Sequence, residues 1–134
     1  MIPQISQAPG VVQLVLNFLQ VLEQQGFTGD TATSYADRLT MATDNSVYQL
    51  LPDAVLFPRS TADVALLARV AAEPRFKSLI FTPRGGGTGT NGQALNGGII
   101  VDMSRYMNRI IEINPDEGWV RVEAGVIKDQ LNQF

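Results

Sequence analysis

The 134-residue sequence contains no cysteine and no histidine. Without cysteine, its own residues can form no disulfide, present no thiolate nucleophile and ligate no iron–sulfur cluster. Without histidine it has no imidazole base, no Ser–His pair and no histidine-bound metal. No clustered Asp/Glu spacing points to a carboxylate metal site either. Lysine is limited to Lys77 and Lys128, no Lys/Arg run occurs, and the net charge is −3. That balance argues against a nucleic-acid partner. Long apolar runs are missing too: Val11–Leu22 is interrupted by Gln13, Asn17 and Gln20, and nothing approaches the roughly 18–20 residues of a membrane span. The first basic residue is Arg38, so no cationic segment precedes that stretch as a secretory signal requires. The expected setting is the cytoplasm, with no membrane span; peripheral membrane association of a larger protein stays open.

What is present reads as a folded domain, 45% hydrophobic and 17% charged, long enough to bury a core. Val11, Leu14, Val15, Phe18, Leu19 and Leu22 share one helical face, which predicts an amphipathic helix from about Gly10 to Gln25 stopped by Gly26. Packing on its own domain is the ordinary use of such a stripe. Residues 29–45 are polar, with a short helix expected over Thr33–Thr40. Ala54–Phe57, between Pro52 and Pro58, reads as a buried strand. Ser60, with Asp63 three residues on, resembles a capping box and opens a helix that Pro74 ends. Leu79–Thr82 and Gly98–Asp102 read as further strands. Arg109–Ile113 and Trp119–Glu123 alternate around Asn114–Gly118 and predict a β-hairpin. A helix begins near Val126, with Ile127, Leu131 and Phe134 on one side, and has barely started when the sequence ends. We therefore expect a piece of a larger protein.

The most informative segment is Pro83-Arg84-Gly85-Gly86-Gly87-Thr88-Gly89-Thr90-Asn91-Gly92. Five of the eight residues from Gly85 to Gly92 are glycine, and each costs conformational entropy on folding. Close backbone approach to a ligand, or a run of N–H groups turned toward one anion, is a reason to keep them. Thr88, Thr90 and Asn91 add short hydrogen-bonding side chains. A Walker A loop is excluded, since no lysine lies between Lys77 and Lys128. A Rossmann fingerprint is formally present as Gly87, Gly89 and Gly92, but it must open a helix. Here Gln93–Gly98 leads straight into a strand. A pyrophosphate loop placed between two strands remains, against the bland alternative of a surface connection.

These residues resemble the pyrophosphate loop of the vanillyl-alcohol-oxidase-type (PCMH-type) FAD-binding domain. The similarity extends to Pro52–Ser60 with Asp63-Val64, to Asp102–Ile110, and to Val122–Val126, covering about residues 35–134. The wording is most similar to bacterial FAD-linked dehydrogenases of D-2-hydroxy acids such as D-lactate, glycolate or D-2-hydroxyglutarate, including large enteric proteins that add an iron–sulfur part. The resemblance implies an α+β fold: a small, mainly parallel sheet flanked by helices plus an antiparallel hairpin, the first subdomain of the FAD-binding domain. It implies residues 1–30 as an N-terminal amphipathic helical extension and 31–134 as the pyrophosphate-binding half. Pro83, Arg84, Gly85, Gly86, Gly87, Thr88, Gly89, Asn91 and Gly92 would contact the cofactor. Thr88 stands where some relatives carry a flavin-linked histidine, so FAD would bind non-covalently. No catalytic residue and no metal ligand are expected here; the rest of the site, any iron–sulfur cluster and the base acting on the small 2-hydroxy acid would lie in the missing remainder of the chain. The competing expectation is a stand-alone nucleotide- or anion-binding module. Asp102 with Glu123 as a carboxylate pair, Trp119 as a stacking platform, and Arg105 or Arg109 as phosphate ligands are weaker readings than capping, packing and solvation.

Overall fold

The computed structural model describes residues 10–133. The elements in order are α1 (Gln13–Gln24), β1 (Asp30–Ala32), α2 (Tyr35–Thr40), β2 (Ala54–Phe57), α3 (Thr61–Ala71), a 3₁₀ turn (Pro74–Phe76), β3 (Phe81–Arg84), β4 (Ile99–Asp102), β5 (Ile110–Asn114), β6 (Trp119–Val122) and α4 (Lys128–Asn132). The main sheet runs β1-β2-β4-β3, with β2, β4 and β3 parallel and β1 antiparallel at one edge; β5 and β6 form a separate hairpin. The expected mainly parallel α+β architecture is present.

The helix stripe behaves as its spacing requires. Val15, Phe18, Leu19 and Leu22 are buried, and α1 packs beside α3 on one sheet face. Phe18 meets Phe76 edge-on at 5.2 Å and Phe81 at 5.1 Å between centroids. Gly26 stops α1 at φ +90°: its N–H bonds Glu23 O, and the Phe27 N–H bonds Leu22 O at 3.0 Å. This pair closes the exposed carbonyls, and only glycine adopts that backbone freely.

Strands β2 and β4 are buried along their whole length because both sheet faces are covered. Ala54, Leu56, Ile99 and Val101 face α1 and α3, whereas Val55, Phe57 and Ile100 pack against Met41 and Tyr106. Ser60 caps α3 as expected, accepting from the Asp63 N–H at 3.2 Å. The carboxylate does not complete a capping box. It reaches further back, to the N–H of Arg59 at 2.8 Å and to the N–H and hydroxyl of Thr28 at 2.9 Å each. Asp63 thereby ties the exit of α1 to the start of α3.

Three elements differ from expectation. Strand β1 lies inside the segment read as loop; three residues of mixed exposure carry no alternation to detect. Strand β3 starts two residues later than Leu79, because the Leu79 N–H closes the 3₁₀ turn onto Phe76 O. The last helix is confined to Lys128–Asn132, and the expected role of Phe134 lies outside the described residues. No helix among the described residues is long and apolar enough to cross a membrane.

Candidate functional site

Parallel strands expose their C-terminal ends on one edge, and open α/β sheets use that edge for ligands. Here β3 ends at Arg84, paired in register with Asp102 at the end of β4. The glycine loop leaves from this edge and returns to β4 without a helix, so a loop of main chain stands at the sheet's carboxyl end.

The loop's defining property is unspent hydrogen-bond donors. The main-chain N–H groups of Gly85, Gly86, Gly87, Thr88, Gly89 and Thr90 donate to no acceptor among the described residues. The run ends at Asn91, whose N–H bonds Gln93 Oε1 at 3.0 Å, and further on the Leu95 N–H bonds Gly92 O at 3.0 Å. Six consecutive free donors make a surface suited to an anion. Pro83, the four glycines 85–87 and 89, Thr88, Gln93 and Ala94 line a cavity of about 340 Å³. A second cavity of about 310 Å³ separates Gly86 and Thr88 from residues 126–129, which brings Lys128 to the far side of the loop. Lys128 was not singled out from sequence, because nothing in its neighbourhood announces proximity to residues forty positions earlier.

A Cβ at Gly85 would meet nothing within 4 Å, and one at Gly86 only Thr88 Cγ2 at 3.7 Å. These two glycines keep backbone open to the cavity. Gly87 and Gly92, both at positive φ, are needed by the protein itself. Gly87 sits at φ +66° directly over the Arg84 guanidinium, Gly89 lies against the Gln93 side chain, and a Cβ at Gly92 would stand 3.0 Å from Tyr48 Cδ2. Arg84 turns beneath the loop, its Nη2 donating to Thr43 O at 2.8 Å. An apolar hollow of about 360 Å³, lined by Tyr48, Leu50, Leu95 and their neighbours, adjoins Asn91 and Gly92. A cavity of about 380 Å³ between α1 and residues 29–31, lined by Gln20, Glu23 and Thr31 among others, lies away from this edge.

The weaker candidates resolve into structural roles. Asp102 is buried and accepts from the Ser104 hydroxyl at 2.9 Å and the Arg105 N–H at 3.0 Å. Glu123 holds the Arg109 N–H and guanidinium, and those hydrogen bonds keep its carboxyl below the usual range. Trp119 donates to Glu117 at 2.6 Å, with the Arg121 guanidinium 5.4 Å from its ring. Arg105 lies 3.5 Å over the Phe57 ring. Asp30 accepts from Tyr106, its chief cause of a lowered pKa, and from Arg59 at 3.0 Å. No group of three or more acidic residues among the described ones is placed to hold a metal.

Comparison with known proteins gives three findings. The family model described as an FAD binding domain matches residues 52–134. The whole chain is 90% identical to D-2-hydroxyglutarate dehydrogenase of Escherichia coli strain K12 and 78% identical to that of Pantoea ananatis, spanning 13% of the length of each. In structure, 99% of the chain superposes on 26% of alkyldihydroxyacetonephosphate synthase with a TM-score of 0.77 at 19% identity, a likeness of fold.

Proposed function

This chain belongs to the FAD binding domain family, and from that premise we propose that its glycine loop holds the diphosphate of FAD in an oxidoreductase of small D-2-hydroxy acids. The observation that carries the reading is the run of six free N–H groups at the carboxyl edge of the parallel sheet. The near-identical relatives named D-2-hydroxyglutarate dehydrogenase support the substrate class. Residues Pro83 through Gly89, with Asn91 and Gly92, are assigned to the cofactor. Gly85 and Gly86 admit the phosphate oxygens to the main chain; Thr88 and Asn91 offer side-chain donors. Arg84 supports the loop from beneath, and Lys128 lines the cavity across from it together with Asp129. The loop itself holds FAD non-covalently, since this chain offers no histidine or cysteine for attachment.

Bound FAD would supply the two-electron acceptor that turns the hydroxyl-bearing carbon into a carbonyl. The residues of this chain hold and orient the dinucleotide. Contacts to the hydroxy acid and the group that takes its proton belong to the rest of the protein, so the isolated chain should turn over no substrate. In this reading residues 31–134 are the pyrophosphate-binding half of the domain. Residues 1–30 are a helical addition whose described part, α1, packs into the same core.

The test is titration of the chain with FAD, followed by flavin fluorescence and calorimetry, and repeated with Gly86→Val and with the complete protein. Binding that strengthens in the complete protein and disappears with Gly86→Val supports the reading. If the complete protein ignores FAD while the chain takes another phosphate-bearing ligand through the same loop, the chain is an anion-binding module and the flavin assignment is wrong.

A further inference from the structure

We propose that Gln93 is a further cofactor-binding residue, whose side-chain amide donates to the dinucleotide diphosphate beside the six free main-chain N–H groups. This contact rests on the reading of the glycine loop as the diphosphate site. It adds a residue outside the glycine run, and the loop itself decides which way its amide faces.

Gln93 lies three residues beyond Thr90, the last free donor, where the chain turns back toward β4. Its Oε1 accepts from the Asn91 N–H at 3.0 Å. That bond fixes which end of the amide is which, because only the carbonyl oxygen can receive an N–H. The NH₂ is what remains. Gln93 Nε2 donates to no acceptor among the described residues. It carries two N–H groups and accepts nothing, so toward a ligand it can serve only an acceptor.

Two further contacts place this amide at the ligand cavity. A Cβ on Gly89 would fall 2.5 Å from Gln93 Cδ, 2.7 Å from Oε1 and 2.8 Å from Nε2. All three amide atoms therefore lie over the space left by the missing side chain, and the amide covers Gly89. Gln93 also lines the cavity of about 340 Å³ together with Pro83, Gly85, Gly86 and Thr88. The bare Cα of Gly89 lets the amide lie flat; its oxygen closes the donor run at Asn91 and its nitrogen extends the supply of donors. Diphosphate oxygens are ionised acceptors, and hydrogen bonds to them are among the stronger ones. The charged groups about the loop are Arg84 under Gly87, Lys128 with Asp129 across the neighbouring cavity, and Asp44, which precedes the Asn45 whose N–H bonds Gly87 O at 3.0 Å. None of them bonds the Gln93 side chain.

Glutamate at this position separates a ligand contact from a brace within the loop. Gln93→Glu keeps an acceptor for the Asn91 N–H, so a brace survives it, but a carboxylate oxygen replaces the NH₂. Apoprotein of the complete flavoprotein is titrated with FAD for wild type, Gln93→Glu and Gln93→Ala, with thermal midpoints of the apo forms measured alongside. Gln93→Ala should weaken FAD about tenfold, the loss of a hydrogen bond to a charged group. Gln93→Glu should weaken it about a hundredfold near about pH 7.5, where like charges meet. The diphosphate raises the pKa of that glutamate, so the variant recovers as pH falls. From an ordinary value of about 4.3 in the apoprotein, a hundredfold loss raises the bound value to about 6.3, and the deficit against wild type should shrink to about tenfold near about pH 5.3. Affinity of Gln93→Glu equal to wild type at neutral pH overturns the proposal, as does a deficit no larger than that of Gln93→Ala or one that ignores pH. If Gln93→Glu does not fold, Gln93→Ala decides: a tenfold loss with an unchanged apo midpoint upholds the contact, and unchanged affinity sinks it. Gly86→Val tells this failure from that of the loop. If it leaves FAD affinity intact, the loop is not the diphosphate site and Gln93 falls with it. If it abolishes binding while Gln93→Glu does not weaken it, the Gln93 contact alone is wrong.

Discussion

Asp63→Asn tests how the two helices are joined. The Asp63 carboxylate is buried and accepts three hydrogen bonds, from the Thr28 N–H, the Thr28 hydroxyl and the Arg59 N–H, all between 2.8 and 2.9 Å. An asparagine keeps one acceptor oxygen and turns an NH₂ toward donors. At least one N–H then loses its partner away from water, at roughly 1–3 kcal/mol, and the surviving bonds lose their charge assistance. Losses within one network do not add fully, so the expected destabilisation is about 3 kcal/mol. For a chain of this length that lowers the thermal midpoint by roughly 10 °C. Far-UV circular dichroism melts at pH 7 read this directly. Acid adds a second check. Burial alone would raise the Asp63 pKa, but the N–H groups of Thr28 and Arg59 and the Thr28 hydroxyl outweigh it, and the net shift is downward. A carboxylate with a depressed folded-state pKa contributes stability that is fully present above its unfolded value, about 3.9, and is lost as pH falls through the folded value. The gap between wild type and Asp63→Asn should therefore be widest near neutrality and close below about pH 4. A variant within about 0.5 kcal/mol of wild type at pH 7, or a gap that does not change with pH, would refute the reasoning.

Leu22→Ala removes a fully buried side chain from the α1 contact with the sheet, and urea unfolding should show a loss of about 3 kcal/mol. Gly125→Ala should cost about as much, because a Cβ there would press on the main-chain oxygens of Met103 and Met107, which cannot move aside like a side chain end. Arg109→Ala, by contrast, removes a guanidinium that is 75% exposed and should barely move the thermal midpoint, an effect that added salt erases. Gly85→Ala should leave the thermal midpoint within about 2 °C, since a methyl group there meets nothing, yet it should weaken FAD in the titration described above.

Regular periodicity made most of the framework legible. The α1 stripe, the four-residue apolar blocks of β2 and β4, and the Ser60 cap each announce themselves within a few residues, because local burial repeats at the period of the element. The hairpin was legible for the same reason, although Ile111 and Ile113 on its apolar side are exposed in this chain. What escaped depends on contacts between distant segments. Strand β1 exists because Asp30–Ala32 completes the edge of β2, not because of its own composition. The destination of the Asp63 carboxylate at Thr28, thirty-five residues away, is equally invisible in a capping pattern. Thr43, Tyr48 and Lys128 approach the glycine loop from both sides of the sequence, and none carries a local signal.

The glycine loop shows why a motif can be found by spelling and still be misread residue by residue. Its glycines look equivalent in sequence but answer to different neighbours. Gly87 and Gly92 sit at positive φ against Arg84 and Tyr48, so their first obligation is to the protein's own backbone, whereas a Cβ at Gly89 would meet only the movable end of Gln93. Gly85 and Gly86 leave room for nothing the chain provides. Substitutions in the first group should disturb the loop whether or not a ligand is present. Those in the second should matter only when something occupies the cavity. A ligand site is therefore marked less by the count of glycines than by those whose missing side chain the protein does not itself require, lying beside donors it does not itself use.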